Sequence, residues 1–538
     1  MFFIYYYLLS LSILGYGYLL SNTLKLNKNN MGIVGFNGIF LLILISYLST
    51  FFLSHNIIFN SIILFIGIVI LIFFYYKRDL RPNLALHFFV FLLLFIFILS
   101  GKNHDDFPYY HFPYIHILTQ FNHPVGLGLL NNGFRNPSSL FFFNSLFYLP
   151  KIDFYLYHIG SVFFLGYANL FFLKNIFNKA LFKKNRFYNL LNLVFFIFTN
   201  IFFYRLSEYG TDRDGQILII IIFTILLLIL NDKSKKNEKY ELFKFLIIIS
   251  CITISLKPFY LIYFSLLFYF ILQNEIREYL KYFVKSKLFI ISIIYVLFTF
   301  LITFLNSSCL IFPADFLCFE NLSWSIPIQE VKNVKIWYEL WSKGGATPNT
   351  IVENRLDYIS NFNWVLNWVD KYFFNKVSDY FLSLVLMSII FFSIMKGNQK
   401  ITTLNRNYKI LYLFLIFYTV EWFINHPTLR YGGYHLFALL FFIPLIFKLE
   451  NYKISWDFYF KRAIILIFIT SLIFIGRNVL RLHKEYKVYD YNVLENTNFK
   501  FTGGNLNFYL RYNEIIKNKK FNYKNKKVLG KNILIIKR

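Results

Sequence analysis

Hydrophobic positions in this chain are not spaced; they are contiguous. Runs such as FFIYYYLLSLSILGYGYLLS near the start and LALHFFVFLLLFIFILS from Leu84 recur along it, divided by short polar connectors. About 20 apolar residues at 1.5 Å each span a bilayer's hydrocarbon core. In lipid, a helix satisfies its own backbone without water. The pattern therefore predicts an all-α fold, a polytopic membrane bundle. The first run has no basic segment before it and no small-residue cleavage site after it, so it is read as a retained span rather than a signal peptide.

The connectors fall into two sets. One is basic: Lys25–Lys28, Lys77–Arg81, Lys174–Arg186, Lys233–Lys244, Arg277–Lys287, Lys396–Lys409 and Lys448–Arg462. The other lies near His55, over 101–153, over Ser207–Gln216, at Lys257-Pro258, over 306–378 and over Asn425–His435. The two sets alternate, and the positive-inside rule puts the basic set in the cytoplasm. About fourteen crossings follow, with the N-terminus and the segment after Ile475 outside. Residues 245–273 are too short for two full crossings and hold Lys257-Pro258. They predict either two short helices meeting partway or one broken helix, with Lys257 facing a cavity.

The implied divisions are an N-terminal transmembrane extension (1–83), a membrane core (84–305) with its loop 101–153, a loop region (306–378), C-terminal transmembrane helices (379–480) and an external tail (481–538). Composition agrees: 57% of residues are hydrophobic and 22% aromatic. The net charge of +28 sits largely in the basic connectors. It is read as orientation in the bilayer and AT-rich codon usage, with no nucleic-acid partner.

The unusual chemistry gathers in the non-basic connectors. In HDDFPYYHFPYIHIL, an aspartate before a proline-containing first turn suits a helix cap. Adjacent residues do not share a helix face, so Asp105 and Asp106 have different roles. One can cap; the other can meet a substrate or, with His104, His111 or His116, a divalent metal such as Mg or Mn. Tyr109 and Tyr110 follow. Downstream, 137–150 reads as a short aromatic helix on the membrane surface, and Arg135 before it either faces headgroups or meets an anionic group. Glu208, Asp212 and Asp214 form a second acidic cluster around Arg213, either pairing locally or sharing a cavity with Asp105. Arg430 and Tyr431 sit in HPTLRYGGYH. The guanidinium fork there suits a phosphate clamp, or it snorkels to the interface. Cys309 and Cys318 share one external stretch and predict a disulfide.

In this order, these features resemble the GT-C superfamily of polytopic membrane glycosyltransferases over roughly residues 84–480. The resemblance is carried by Asp105-Asp106 followed by Tyr109-Tyr110, by the helix at 137–150, by Arg430-Tyr431 and by the break at Lys257-Pro258. The stretch from DDFPYYHFPY to GFRNPSSLF is also similar to a family of bacterial membrane proteins linked to surface polysaccharide. In the superfamily the acidic loop follows the first span; here three spans precede the one that leads into it, as an N-terminal extension over 1–83 would give.

The resemblance implies inverting transfer of a sugar from a polyprenyl-phosphate donor to a glycan or lipid acceptor at the outer face of a bacterial inner membrane. Asp105 or Asp106 would be the general base. Arg430, Tyr431, Lys257, Arg135, Tyr109 and Tyr110 would bind substrate and phosphate, and a metal held by Asp105, Asp106 and His111 is the other means of stabilising the leaving group. Two alternatives remain open: a polymerase or ligase of surface polysaccharide, and a transporter or flippase of a lipid-linked glycan.

Overall fold

The computed structural model describes residues 1–77, 83–99, 106–206, 211–231, 236–266, 274–347, 350–398, 409–489, 505–528 and 531–538. Helices dominate. Residues 1–120 form α1 (Phe2–Thr23), α2 (Met31–Ser49), α3 (Ile57–Tyr76), α4 (Leu84–Leu94), a π-helical turn at Phe107–His111 and α5 (Phe112–Gln120). Next come α6 (Ser139–Ser145), α7 (Gly160–Ile176), α8 (Lys179–Phe202), α9 (Thr211–Asn231), α10 (Lys236–Leu256), α11 (Asn274–Val284) and α12 (Lys287–Ser307). The chain ends with α13 (Ile328–Lys343), α14 (Ser378–Met395), α15 (Lys409–Asn425), α16 (Gly433–Glu450), α17 (Trp456–Tyr489), α18 (Asn505–Lys517) and an antiparallel hairpin of β1 (Tyr523–Val528) and β2 (Lys531–Ile536).

Among the described residues, eight helices are long and apolar enough to cross a membrane: α1, α2, α3, α9, α12, α14 with the helical stretch leading into it from Val365, α16 and α17. The count is nine if α7 and α8, bent by 115° at their junction, make one broken span. The all-helical expectation holds, with the terminal hairpin as an addition to it.

Helix position follows from which faces are apolar. On α3, Ile58, Ile62, Phe65, Val69, Ile72 and Phe73 are exposed in a helical stripe, as on a lipid-facing span. By contrast α2 is apolar all round and is enclosed by α1, α7, α6 and α10. Small residues let the backbones close in. A methyl group at Gly35 would fall 1.9 Å from the Tyr167 ring, and the Tyr167 hydroxyl donates to Ser10 O at 2.5 Å. Residues of the first three helices thus join the same core cluster as the later ones.

The aromatic helix at 137–150 is a correction. It does not lie on the membrane surface. In α6, Leu140, Phe141, Phe142 and Phe143 are all at most 3% exposed, packed against α2, α5, α7 and α10. Its apolar residues cover every face, which suits burial; an interfacial helix needs one polar side.

The C-terminal segment folds back on the 101–153 region. Along β2 the chain pairs with Val125: Val125 N–H donates to Leu534 O and Ile536 N–H to Val125 O, both at 2.9 Å. In α18, the Tyr512 hydroxyl accepts from Asn131 Nδ2 at 2.8 Å and its ring lies 5.0 Å from Phe134. Cys309 and Cys318 are bonded, as expected, closing a loop at the end of α12.

Two outcomes follow. The tail and α13 share a face, so cysteines replacing Lys526 and Lys332 are expected to react alike with an impermeant thiol reagent in intact cells. A cysteine replacing Lys184, in a basic connector, should stay unlabelled; labelling at all three, or opposite behaviour of Lys526 and Lys332, refutes the arrangement. Reducing the Cys309–Cys318 bond should loosen its loop by about 2–3 kcal/mol, read as faster proteolysis between them. Free thiols at both positions in protein purified without reductant would exclude the bond.

Candidate functional site

The site is built on the first turn of α9. Acidic residues there face the positive end of the helix dipole. The Asp212 side chain is 2% exposed, and burying a lone carboxylate costs several kcal/mol unless cations meet it. Two do. Lys257 Nζ bonds Oδ1, and Arg430 Nε donates to Oδ2 at 2.5 Å.

Each cation is positioned by a break in regular structure. The α10 helix stops at Leu256, Lys257 is extended, and Pro258 opens a short tight helix running to Phe264. The break falls at Lys257-Pro258 as expected, while residues 267–273 of this segment lie outside the described residues. The Tyr260 hydroxyl donates to Asp212 O at 3.0 Å. The ring reaches the helix because residue 215 is glycine: a Cβ there would sit 2.2 Å from it. Arg430 lies in a loop fixed on several sides. Gln216 Nε2 donates to Arg430 O at 2.8 Å, Leu429 N–H to the Tyr372 hydroxyl at 2.9 Å and Trp422 Nε1 to Thr428 O at 2.7 Å. The loop turns into α16 through Gly432 at φ 137°, a conformation side chains disfavour.

Arg430 also reaches a third segment. Its Nη2 donates to Asp106 Oδ2 at 2.9 Å. Asp106 stands at the cap position of the π-helical turn but makes no side-chain cap bond; its carboxylate is turned to Arg430 instead. The result is two carboxylates and two cations, Asp106, Arg430, Asp212 and Lys257, drawn from four separate stretches. Burial works against the Arg430 charge, but Asp212 and then Asp106 more than offset it and hold the guanidinium above its ordinary value. Lys257 and Arg430 remain about a quarter exposed, with side-chain values of 27% and 25%. Both therefore keep a solvent-accessible side beside their contact with Asp212.

Aromatic residues wall the cluster. Lys257 Nζ lies 5.5 Å over the Tyr431 ring, and Trp341 of α13 packs 5.5 Å from that ring on another side. Tyr110, Tyr338 and Tyr431 are held above the usual phenol range by burial, so they stay neutral donors at ordinary pH. Tyr109 is half exposed beside them.

Other residues singled out in the sequence are placed elsewhere. Asp105, His104 and Glu208 lie outside the described residues. Asp214 is not part of the cluster. It is two residues from Asp212 and so on another side of α9, where its Oδ2 accepts from Ser161 Oγ at 2.7 Å. Arg135 is buried and neither faces headgroups nor joins the cluster: Nη2 pairs with Glu330 at 2.6 Å and Nε donates to Gly128 O at 3.1 Å. The His111 ring packs 4.3 Å from Tyr110 and 4.9 Å from Phe141. His116 lies 3.2 Å from the Tyr157 hydroxyl.

Of the residues expected to hold a metal, Asp105 lies outside the described residues, and Asp106 is turned to Arg430. Asp212 already spends both oxygens on cations, and no three His, Cys, Asp or Glu side chains converge among the described residues. Tyr338, Trp341 and Gln216 were not visible as site residues in the sequence. No local signal marks them; only the packing of α13 and α9 against the Arg430 loop brings them in.

Membrane-length helices and a compact ion-paired centre define a helical protein, apolar enough to span a membrane, with a polar site. The chain belongs to the family described as Domain of unknown function (DUF8201), whose model matches residues 1–437. That span holds all four charged residues and leaves the tail outside. No curated protein and no solved structure matches the chain.

The cluster predicts unequal costs. Asp212→Asn leaves two cations without their buried partner and should cost about 3 kcal/mol, read as a lowered Tm in detergent. Asp106→Asn loses a partly solvated pair and should cost about 1 kcal/mol or less. Equal losses would remove Asp212 from the centre.

Proposed function

We propose that the protein is a membrane glycosyltransferase, moving a sugar from a polyprenyl-phosphate donor to a glycan or lipid acceptor hydroxyl with inversion. In this reading the bundle makes about fourteen crossings of a bacterial inner membrane in a GT-C-like arrangement, with the cluster on the external face. One observation carries it: Asp106, Asp212, Lys257 and Arg430 meet at one point beside open aromatic walls.

The chemistry suits those groups. Asp106 takes the acceptor's proton as the acceptor oxygen bonds to the sugar's anomeric carbon. The bond from that carbon to the phosphate oxygen breaks, and its electron pair leaves with the lipid phosphate. The new negative charge is met by Arg430 and Lys257, pre-set by Asp212. Among the described residues Arg430 Nη1 has no partner, and the one partner of Lys257 Nζ is Asp212, so both retain donors for phosphate oxygens. A phosphate on Arg430 competes with Asp106 for the guanidinium. Substrate binding thus exchanges one of the guanidinium's carboxylate contacts for a phosphate contact. No step is routed through a metal.

Asp106→Asn keeps shape and removes the base. Transfer is expected to fall about 10²–10⁴-fold while the protein still accumulates in the membrane. The readout is mass spectrometry of surface glycans from cells carrying each form. Loss of one sugar supports transfer, shortened chains point to polymerisation, and an unchanged glycan with Asp106→Asn refutes the assignment of the base.

A further inference from the structure

The cluster accounts for a phosphate and a proton but leaves open what holds the sugar. We infer that α13 supplies a platform for the donor's pyranose ring, formed by Tyr338 and Trp341 facing Tyr431. The inference rests on the transferase reading and adds the substrate's recognition surface to it.

Tyr338 and Trp341 are three residues apart and so lie on one face of α13. That face is turned to the cluster. The Trp341 ring is 5.5 Å from Tyr431, and the Tyr338 phenol feels the charges of Arg135, Asp106 and Arg430. Their neighbour Trp337 is 45% exposed and fits a simple interfacial belt residue. Trp341 and Tyr338 do not fit that role, because they are partly covered and turned inward. Nor does plain packing explain them. Among the described residues, neither the Tyr338 and Tyr431 hydroxyls nor the Trp341 indole N–H bonds within the protein, and none of the three is sealed from solvent. Phenylalanine would pack as well without leaving polar groups idle.

Flat rings with idle donors beside two phosphate-binding cations match a hexopyranosyl phosphate. The C–H face of a pyranose carries partial positive charge and lies on the electron-rich face of an aromatic ring. Its hydroxyls then meet the idle phenols and indole N–H. Trp341 is a specificity-determining residue in this scheme, holding the ring while Arg430 and Lys257 hold the phosphate.

The test uses the full-length protein in nanodiscs and NMR-detected binding of inorganic phosphate and of glucose, galactose, mannose and N-acetylglucosamine 1-phosphates. At least one sugar phosphate is expected to bind about tenfold tighter than phosphate. Trp341→Ala should abolish that gain, Trp341→Phe should largely keep it, and both should bind phosphate as the unaltered protein does, which also shows that they fold. Phosphate binding that depends on Arg430, with no sugar phosphate binding tighter, overturns the platform and leaves the anion site standing. A gain that survives Trp341→Ala also overturns it. Absence of any binding, phosphate included, overturns the platform and the transferase reading together.

Discussion

One buried carboxylate organises the charged end of this protein. Asp212 is almost fully enclosed, and each of its oxygens is bonded to a cation. A charge so placed is tolerated only while its cations stay, and removing either leaves an uncompensated ion. That requirement ties the first turn of α9 to the break after α10 and to the loop before α16. Arg430 then extends the tie to Asp106. The four stretches are far apart in the chain, so each is held in place largely by what the others bring.

The neighbouring Asp214 shows what distinguishes a polar site from a polar core. It sits two residues on, fully buried, and meets Ser161 rather than a cation. Asp212 and Asp214 share a helix turn and a residue type but not an environment. The difference comes from what stands opposite: a broken helix and a loop with side chains partly open to solvent on one side, and the close-packed α7 on the other.

Much of this was legible in the sequence, for particular reasons. Contiguous apolar runs have one stable solution in lipid, so the helices were readable, as was the break at Lys257-Pro258, where proline forbids a continuous ladder. Asp106, Asp212, Lys257 and Arg430 stood out because charges beside apolar runs need a reason to be there. What could not be read was who meets whom. Two outcomes were open for Asp106, cap or partner, and the carboxylate's turn toward Arg430 depends on a residue 324 positions away. The α6 helix was misplaced because an aromatic-rich segment looks alike whether it faces headgroups or protein. Tyr338 and Trp341 carried no local mark, since their role comes from the docking of α13.

The tail's attachment to Val125 sets an order of events. The pairing that covers this edge uses Leu534 and Ile536, and Tyr512 braces Asn131 just below the loop that carries Asp106. α18 also packs against α5 and the π-helical turn that follows Asp106, so these elements are covered by a segment made after every membrane-length helix. A chain emerging from the ribosome can complete its membrane-length helices and gather its four charges, yet it still lacks this cover until α18 and β2 have been made. Completion of this face therefore waits on the last segment, and a chain stalled before it would be helical and unfinished.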